Sequence, residues 1–216
     1  MKGNFRLNKK REDRKKISLK SGAYLIITDT EKTEKNYFEG IKNCIPENLK
    51  NDLQIKIYSN KPLTKIIDFA AEKRNKDERF RDVWLVFDRD EVKNFDNIIE
   101  KAKKSKMNVA WSNPCFEIWL MSYFKNPGNI SNSQSCCSKF GKIFIEKTGK
   151  NGYEKSEEKI YSILYEFGNE ERAIERARQK YDSSKKECGV PSKMIGCTTV
   201  YKLVEELKRK IGDVLK

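Results

Sequence analysis

The sequence predicts an α/β fold in which about four parallel strands are flanked by helices and followed by a mostly helical C-terminal part. Short apolar runs alternate with segments of helical periodicity as far as residue 125, and no strong strand pattern follows residue 145. Such alternation favours parallel strands joined by right-handed helical crossovers. We therefore divide the chain into a flexible basic arm at residues 1–20, an α/β core at 21–125 and a helical part at 126–216 that packs on the core.

The core begins with an apolar run at residues 23–27, which predicts a buried strand. The next segment, residues 35–44, carries its apolar residues at helical spacing and predicts a helix with Thr30 or Thr33 as its N-cap. Alternating or continuous apolar residues predict three more strands, and helical spacing predicts three more helices. These are strands at residues 52–58, 83–87 and 107–111, and helices beginning at Pro62 and spanning 91–104 and 115–124.

A polar stretch at residues 125–138 predicts a loop between the core and the helical part, with a turn at Pro127-Gly128. Two adjacent thiols, Cys136 and Cys137, fall in this loop. Beyond the loop, apolar residues recur with helical spacing in four segments. The helices predicted from them span residues 139–147, 155–167, 170–181 and 199–211.

The chain is strongly basic, with a formal net charge of +14 over 216 residues. Residues 1–20 contain nine Lys or Arg against two acids, so this arm carries 9 − 2 = +7 of that total. A positive balance of this size indicates a polyanionic partner, most often nucleic acid. The alternative is a charged surface that serves solubility.

Two residue types limit the possible chemistry. The chain has no His, which excludes Ser-His-Asp, Cys-His and His-nucleophile mechanisms. Its six cysteines include no CxxC pair, so a zinc site is not expected. Reduced thiols, the lack of an apolar leader and the lack of a membrane-spanning run together predict a cytoplasmic protein.

Acidic residues follow directly after two of the predicted strands. Asp88 and Asp90 end the run at 83–87, and residues two apart in an extended segment point to one side, so both carboxylates are expected to face one ion. Asp29 and Glu31 follow the first strand and would meet them if the strands are neighbours. Oxygen ligands of this kind suit Mg²⁺ or Mn²⁺. The alternative is a solvated turn in which Asp90 caps the next helix.

One further acid, Glu117, stands in the first turn of the helix predicted at residues 115–124, which is apolar almost all round. A charge on a buried helix needs a partner. Glu117 is therefore a candidate ligand; the alternative is that it satisfies the helix N-terminus.

An apolar strand that ends in an acid, followed by a DxD at the end of a later strand, resembles the TOPRIM domain. More specifically, the chain resembles the RloB family of TOPRIM proteins, which are associated with bacterial restriction and abortive-infection loci. The similarity covers nearly the whole chain after residue 22. It rests on residues 25–38 (LIITDTEKTEKNYF), 83–91 (VWLVFDRDE), 111–120 (WSNPCFEIWL), 153–155 (YEK) and 198–204 (TTVYKLV).

The resemblance implies a four-stranded parallel TOPRIM sheet and a Mg²⁺-dependent nuclease, with an ATPase encoded nearby as a plausible partner. The family usually has Cys-Glu-Gly after the first strand, where this chain has Thr28, Asp29 and Thr30. Asp29 therefore falls on the family's general acid/base. The candidate residues are Asp29, Glu31, Asp88 and Asp90 for catalysis; Asp29, Asp88, Asp90 and Glu117 for the metal; and Lys32, Asn113, Tyr153 and Lys155 for nucleic acid.

These observations lead to two hypotheses about function. The first is a metal-dependent TOPRIM nuclease of anti-phage defence that acts on DNA or RNA, alone or as an oligomer. The second is a non-catalytic nucleic-acid-binding or regulatory subunit, in which the Asp29-Thr30 variation leaves the site inactive. A DxD phosphotransferase is a weaker alternative, because it would leave the EKTE block unexplained.

Overall fold

The computed structural model describes residues 22–90 and 92–214, so the arm predicted at residues 1–20 lies outside the described residues. The predicted α/β fold, with a TOPRIM-like core of four parallel strands and flanking helices, is confirmed. The strand order is β2-β1-β3-β4, and each neighbouring pair runs parallel. The strands are β1 (Gly22–Thr28), β2 (Leu53–Tyr58), β3 (Phe80–Asp88) and β4 (Asn108–Ser112).

Helices connect these strands and make up most of the chain after β4. Among the residues described, no helix has both the length and the apolar character needed to cross a membrane. Two short 3₁₀ turns lie at Glu47–Leu49 and Pro191–Lys193. The α-helices are α1 (Thr33–Asn43), α2 (Ile66–Lys76), α3 (Phe95–Lys104), α4 (Glu117–Ser122), α5 (Ser133–Thr148), α6 (Ile160–Phe167), α7 (Glu170–Glu187) and α8 (Val200–Val214).

The sheet is buried on both faces because its central strands are apolar at consecutive positions. Successive side chains of a strand point to opposite faces. Tyr24 and Ile26 accordingly pack with α1 and the C-terminal helices, whereas Leu25 and Ile27 pack with α2 and α3. The C-terminal helical part thus covers one face of the sheet and shares its hydrophobic core.

Backbone contacts tie the start of α8 to the edge strand β4. The amide of Thr199 donates to the carbonyl of Trp111 at 2.7 Å, and the hydroxyl of Thr199 accepts from the amide of Trp111 at 2.9 Å. Ser112 and Thr198 form an isolated antiparallel bridge. These contacts hold the C-terminal part against the carboxyl end of β4.

Several predicted helix boundaries differ from the observed ones. The helix expected at Pro62 begins at Ile66, because the amide of Lys65 donates to the carbonyl of Pro62 and closes a separate turn. The predicted loop at 125–138 contains the first two turns of α5, which is capped where the side chain of Asn132 accepts from the amide of Ser135. The paired thiols of Cys136 and Cys137 therefore lie on a helix.

Candidate metal centre

The carboxyl ends of β1 and β3 bring Asp29 and Asp88 together. Thr28 pairs with Val86 across the two strands, and the amide of Asp29 donates to the carbonyl of Val86 at 3.2 Å. Asp88 is the last residue of β3, and its backbone hydrogen-bonds to the carboxylate of Asp29. The predicted meeting of acids from neighbouring strands is confirmed for this pair.

A third carboxylate, Glu34, joins this pair and was not selected from the sequence. It lies in the first turn of α1, is only 3% exposed and accepts a hydrogen bond from the hydroxyl of Thr30. A sequence signal for it existed. Glu34 stands three, four and seven residues before Tyr37, Phe38 and Ile41, which all face the core. That spacing places Glu34 on the buried face of its helix, where a charge needs a partner.

Glu117 supplies the fourth carboxylate from the start of α4. It is 1% exposed, and its Oε1 accepts from the hydroxyl of Tyr153 at 3.0 Å and lies 3.6 Å from Nζ of Lys155. Oδ2 of Asp88 accepts from the amide of Phe116 at 3.0 Å. Glu117 is the first residue of α4, so its charge lies in the first turn of the helix, as the alternative interpretation also expects.

The four side chains Asp29, Glu34, Asp88 and Glu117 are called the acidic cluster below. Three of them present an oxygen that is buried and has no hydrogen-bond partner within the described residues: Oδ1 of Asp29, Oδ1 of Asp88 and Oε2 of Glu117. Buried polar atoms are nearly always paired, and burial of an unpaired carboxylate is costly. The donor set therefore fits a hard divalent cation, which takes carboxylate oxygens as ligands.

The electrostatics of the acidic cluster agree with this geometry. Burial, followed by the charge of Glu34, raises the pKa of Asp29 to about 7. Burial also raises the pKa of Asp88 well above its ordinary value, and the charges of Glu34, Asp29 and Glu117 add to the effect. The pKa of Glu34 is raised by burial, although the hydrogen bond from Thr30 opposes the shift. The cluster therefore favours bound protons or a cation over four bare carboxylates.

Two predicted catalytic acids lie apart from these contacts. β3 ends at Asp88, and Asp90 has a φ of 30°, so the expectation that both point to one side of an extended strand is wrong. The exposed carboxylate of Asp90 accepts from the hydroxyl of Ser133 at 2.6 Å, and Asn94 precedes α3, so Asp90 does not cap that helix either. Glu31 is exposed in the loop before α1, and it is Glu34 that enters the cluster.

The four residues predicted to contact nucleic acid differ in exposure and in hydrogen-bond partners. Lys32 is exposed directly before α1, where a phosphate could reach it. Asn113 is buried, and its amide donates to the carbonyls of Pro191 and Ser192 at 3.1 Å each. This side chain therefore anchors the turn before α8 and is not available to nucleic acid as predicted.

Tyr153 and Lys155, also predicted to contact nucleic acid, instead hold Glu117 from the C-terminal part. The ring of Tyr153 packs edge-on against Phe140, with 4.6 Å between the ring centroids. Partial burial lowers the pKa of Lys155, but several nearby acidic groups, of which Glu117 contributes most, together outweigh burial and leave the pKa above its ordinary value. The carbonyl of Lys155 also accepts from the hydroxyl of Thr33 at 3.1 Å. These two residues position a carboxylate of the acidic cluster.

A second group of potential ligands borders the acidic cluster. Atoms of Cys115, Glu117 and Cys137 lie within 4.8 Å of one another and could hold a metal ion. The group joins the start of α4 to the first turns of α5. Its cysteines are far apart in the sequence, so a search for close cysteine pairs could not find it.

Comparison with known proteins gives one match. A family model described as RloB-like protein matches residues 24–207, which is most of the chain. No curated protein and no solved structure matches. The matched span includes β1, β3, α4 and the residues that hold Glu117, so it contains every side chain of the acidic cluster.

Proposed function

The chain belongs to the RloB-like protein family, and we propose that it is a metal-dependent nuclease that hydrolyses phosphodiester bonds of DNA or RNA in bacterial anti-phage defence. The cation proposed is Mg²⁺ or Mn²⁺, and the partner proposed besides nucleic acid is an ATPase encoded nearby. The cytoplasm is the proposed location.

One observation carries this proposal: two strand ends and one helix start, whose charges act on one another, each present a buried carboxylate oxygen without a hydrogen-bond partner among the described residues. Asp29, Asp88 and Glu117 would hold the cation through these atoms. Glu34 adds a fourth negative charge, which strengthens the attraction for a divalent ion and disfavours an empty cluster. If the cluster were a purely structural network of ion pairs, each carboxylate would have a cationic side chain beside it. Among the described residues, Glu117 is the one member of the acidic cluster with such a partner, Lys155.

A divalent ion bound by carboxylates would activate water and neutralise phosphate charge. The chain's own residues supply two further elements. In the metal-free protein the pKa of Asp29 is about 7, so this carboxylate holds a proton below neutral pH that a bound cation would displace. Tyr153 and Lys155 fix the carboxylate of Glu117, and such outer contacts keep a ligand in one orientation.

The charge of the chain supports a polyanionic substrate. The net charge is +14, and half of it lies outside residues 1–20. Lys32 is exposed directly before α1, the helix that carries Glu34, and would contact phosphate groups on the approach to the acidic cluster. Binding that depends on such contacts decreases steeply as salt concentration rises.

The test is cleavage of labelled DNA and RNA panels with Mg²⁺, Mn²⁺ or EDTA. Wild type is compared with Asp88→Asn and Glu34→Gln, which remove one charge each with little change in shape. The matched control is Asp82→Asn, which alters an aspartate on the same strand, β3, six residues before the strand ends at Asp88. We expect metal-dependent products with wild type and Asp82→Asn, and a loss of at least about a hundredfold in the other two.

Cleavage that persists in EDTA, or in Asp88→Asn at the wild-type rate, would contradict the proposal. The second candidate function, a non-catalytic nucleic-acid-binding subunit, predicts a different result. It predicts no products, with salt-sensitive binding that is equal in wild type and Asp88→Asn. The assay is therefore also run with the neighbouring ATPase, since an activator could be required for cleavage.

A further inference from the structure

We propose that Cys115, Cys137 and Glu117 form a second metal site, which takes a thiophilic divalent cation such as Zn²⁺. The proposal goes beyond the oxygen-ligand site described above, because thiolates select softer metals than Mg²⁺ or Mn²⁺. Three protein ligands with a fourth open position are a common arrangement for zinc.

The first observation is the distance between the donor atoms. All three lie within 4.8 Å of one another. In a tetrahedral zinc site, metal–sulfur bonds of about 2.3 Å and metal–oxygen bonds of about 2.0 Å place neighbouring ligand atoms about 3.5 to 3.8 Å apart. The group is thus at most about 1 Å wider than a loaded site.

The second observation is an unpaired buried atom in the same group. Glu117 is 1% exposed, and its Oε2 has no hydrogen-bond partner in the part of the chain that the structure describes. Its Oε1 is already fixed by Tyr153 and Lys155, so the carboxylate is oriented and one oxygen is left to bind a cation. A group of cysteines alone would lack this indication.

The two cysteines are positioned by separate elements. Cys115 is buried directly before α4, and its thiol faces the carbonyl of Ser133 at 3.9 Å. Cys137 is partly exposed in the first turns of α5, whose start is fixed by the side chain of Asn132. Cys137 therefore offers a route for the ion from solvent, whereas Cys115 and Glu117 form the buried side of the site.

Glu117 belongs both to this group and to the acidic cluster. A thiophilic cation bound to Cys115 and Cys137 would occupy a carboxylate that the proposed Mg²⁺ or Mn²⁺ ion also needs. We therefore expect Zn²⁺ to weaken the binding of Mn²⁺ to the acidic cluster by about tenfold or more. This consequence rests on the proposed function, whereas the thiolate site itself does not.

The experiment uses the full chain, reduced and free of metal, titrated with Co²⁺ as a spectroscopic substitute for Zn²⁺. We expect a thiolate-to-cobalt charge-transfer band in the near ultraviolet, which Zn²⁺ removes by displacing the cobalt from the thiolates. Cys137→Ser should lose the band. Cys188→Ser, which alters an exposed cysteine outside the group, is the matched control and should keep it. No band in wild type, or an equal band in Cys137→Ser, would overturn the proposal.

A measurement on wild type alone keeps the test independent of how the variants fold. Bound Zn²⁺ should slow alkylation of Cys137, mapped by mass spectrometry, at least about tenfold relative to Cys44 and Cys188, which are exposed elsewhere. Equal reactivity of Cys137 with and without Zn²⁺ would refute the site.

Manganese binding, followed by electron paramagnetic resonance, tests the shared ligand. One equivalent of Zn²⁺ should weaken Mn²⁺ binding more in wild type than in Cys137→Ser, in which Zn²⁺ competes for the carboxylates alone. Unchanged Mn²⁺ affinity in the zinc-loaded wild type would overturn the sharing of Glu117. None of these readouts requires nuclease activity, so a negative cleavage assay and a negative cobalt titration are separate results.

Discussion

The raised pKa of Asp29 predicts that the metal-free protein loses stability as the pH rises. Its folded-state pKa of about 7 lies above the ordinary value of 3.8, so the native chain binds this proton more tightly than the unfolded chain does. The contribution of the protonated carboxyl is therefore complete below pH 3.8 and is lost as the pH rises through about 7. A pKa difference of about 3, at about 1.4 kcal/mol for each pKa unit, corresponds to about 4 kcal/mol of unfolding free energy.

The variant Asp29→Asn isolates this contribution, because a neutral amide cannot lose the proton. Urea unfolding of wild type and variant is measured from pH 4 to pH 8 without divalent ions. Between pH 4 and pH 8, the unfolding free energy of wild type should fall by about 4 kcal/mol relative to that of Asp29→Asn. Glu31→Gln removes an exposed carboxylate from the same loop and is the matched control.

Saturating Mg²⁺ should reverse the trend in wild type, since a ligand that binds only the native state stabilises it. The variant should gain less from Mg²⁺ because it lacks one ligand oxygen. A profile of Asp29→Asn that runs parallel to wild type at all pH values would refute the reasoning. It would mean that Asp29 is not buried among like charges.

Two more substitutions test what the C-terminal part does. Tyr153→Phe removes the hydroxyl that donates to Glu117 at 3.0 Å but keeps the ring. The affinity for Mg²⁺, measured by calorimetry, should therefore fall about tenfold while the fold stays intact. An unchanged affinity would contradict a positioning role for Tyr153. Asn113→Ala leaves the carbonyls of Pro191 and Ser192 without their donor, and urea unfolding should show a loss of about 1 to 3 kcal/mol. Weaker nucleic-acid binding at unchanged stability would instead favour a direct contact by Asn113.

Much of the fold could be predicted from the sequence because local patterns determine it. Apolar runs separated by helical segments specify parallel strands, and an acid at the end of each central strand specifies one edge of the sheet. Asp29 and Asp88 were found in this way, since each directly follows a run of buried residues. The adjacency of β1 and β3 completes the argument and brings the two carboxylates together.

The remaining site residues depend on information that a local pattern lacks. The strand ends at Asp88, and the positive φ of Asp90 departs from the extended conformation that the spacing rule assumes. The carboxylate of Asp90 therefore lies against Ser133. The role of Tyr153 follows from a contact with Glu117 across 36 residues of sequence. Glu34 is the exception: it was missed although its helical spacing from buried residues indicated it.

The four residues of the acidic cluster lie in the proposed core, but the contacts of Glu117 cross the proposed domain division. Asp29, Glu34 and Asp88 come from the sheet and from α1, and a core alone could present them. Among the described residues, Tyr153 and Lys155 hold the carboxylate of Glu117, and the carbonyl of Lys155 also accepts from Thr33 at the start of α1. The helical part therefore completes the site as well as covering one face of the sheet. A change that loosens its packing should weaken cation binding before it unfolds the core, because it releases a ligand that the sheet does not hold.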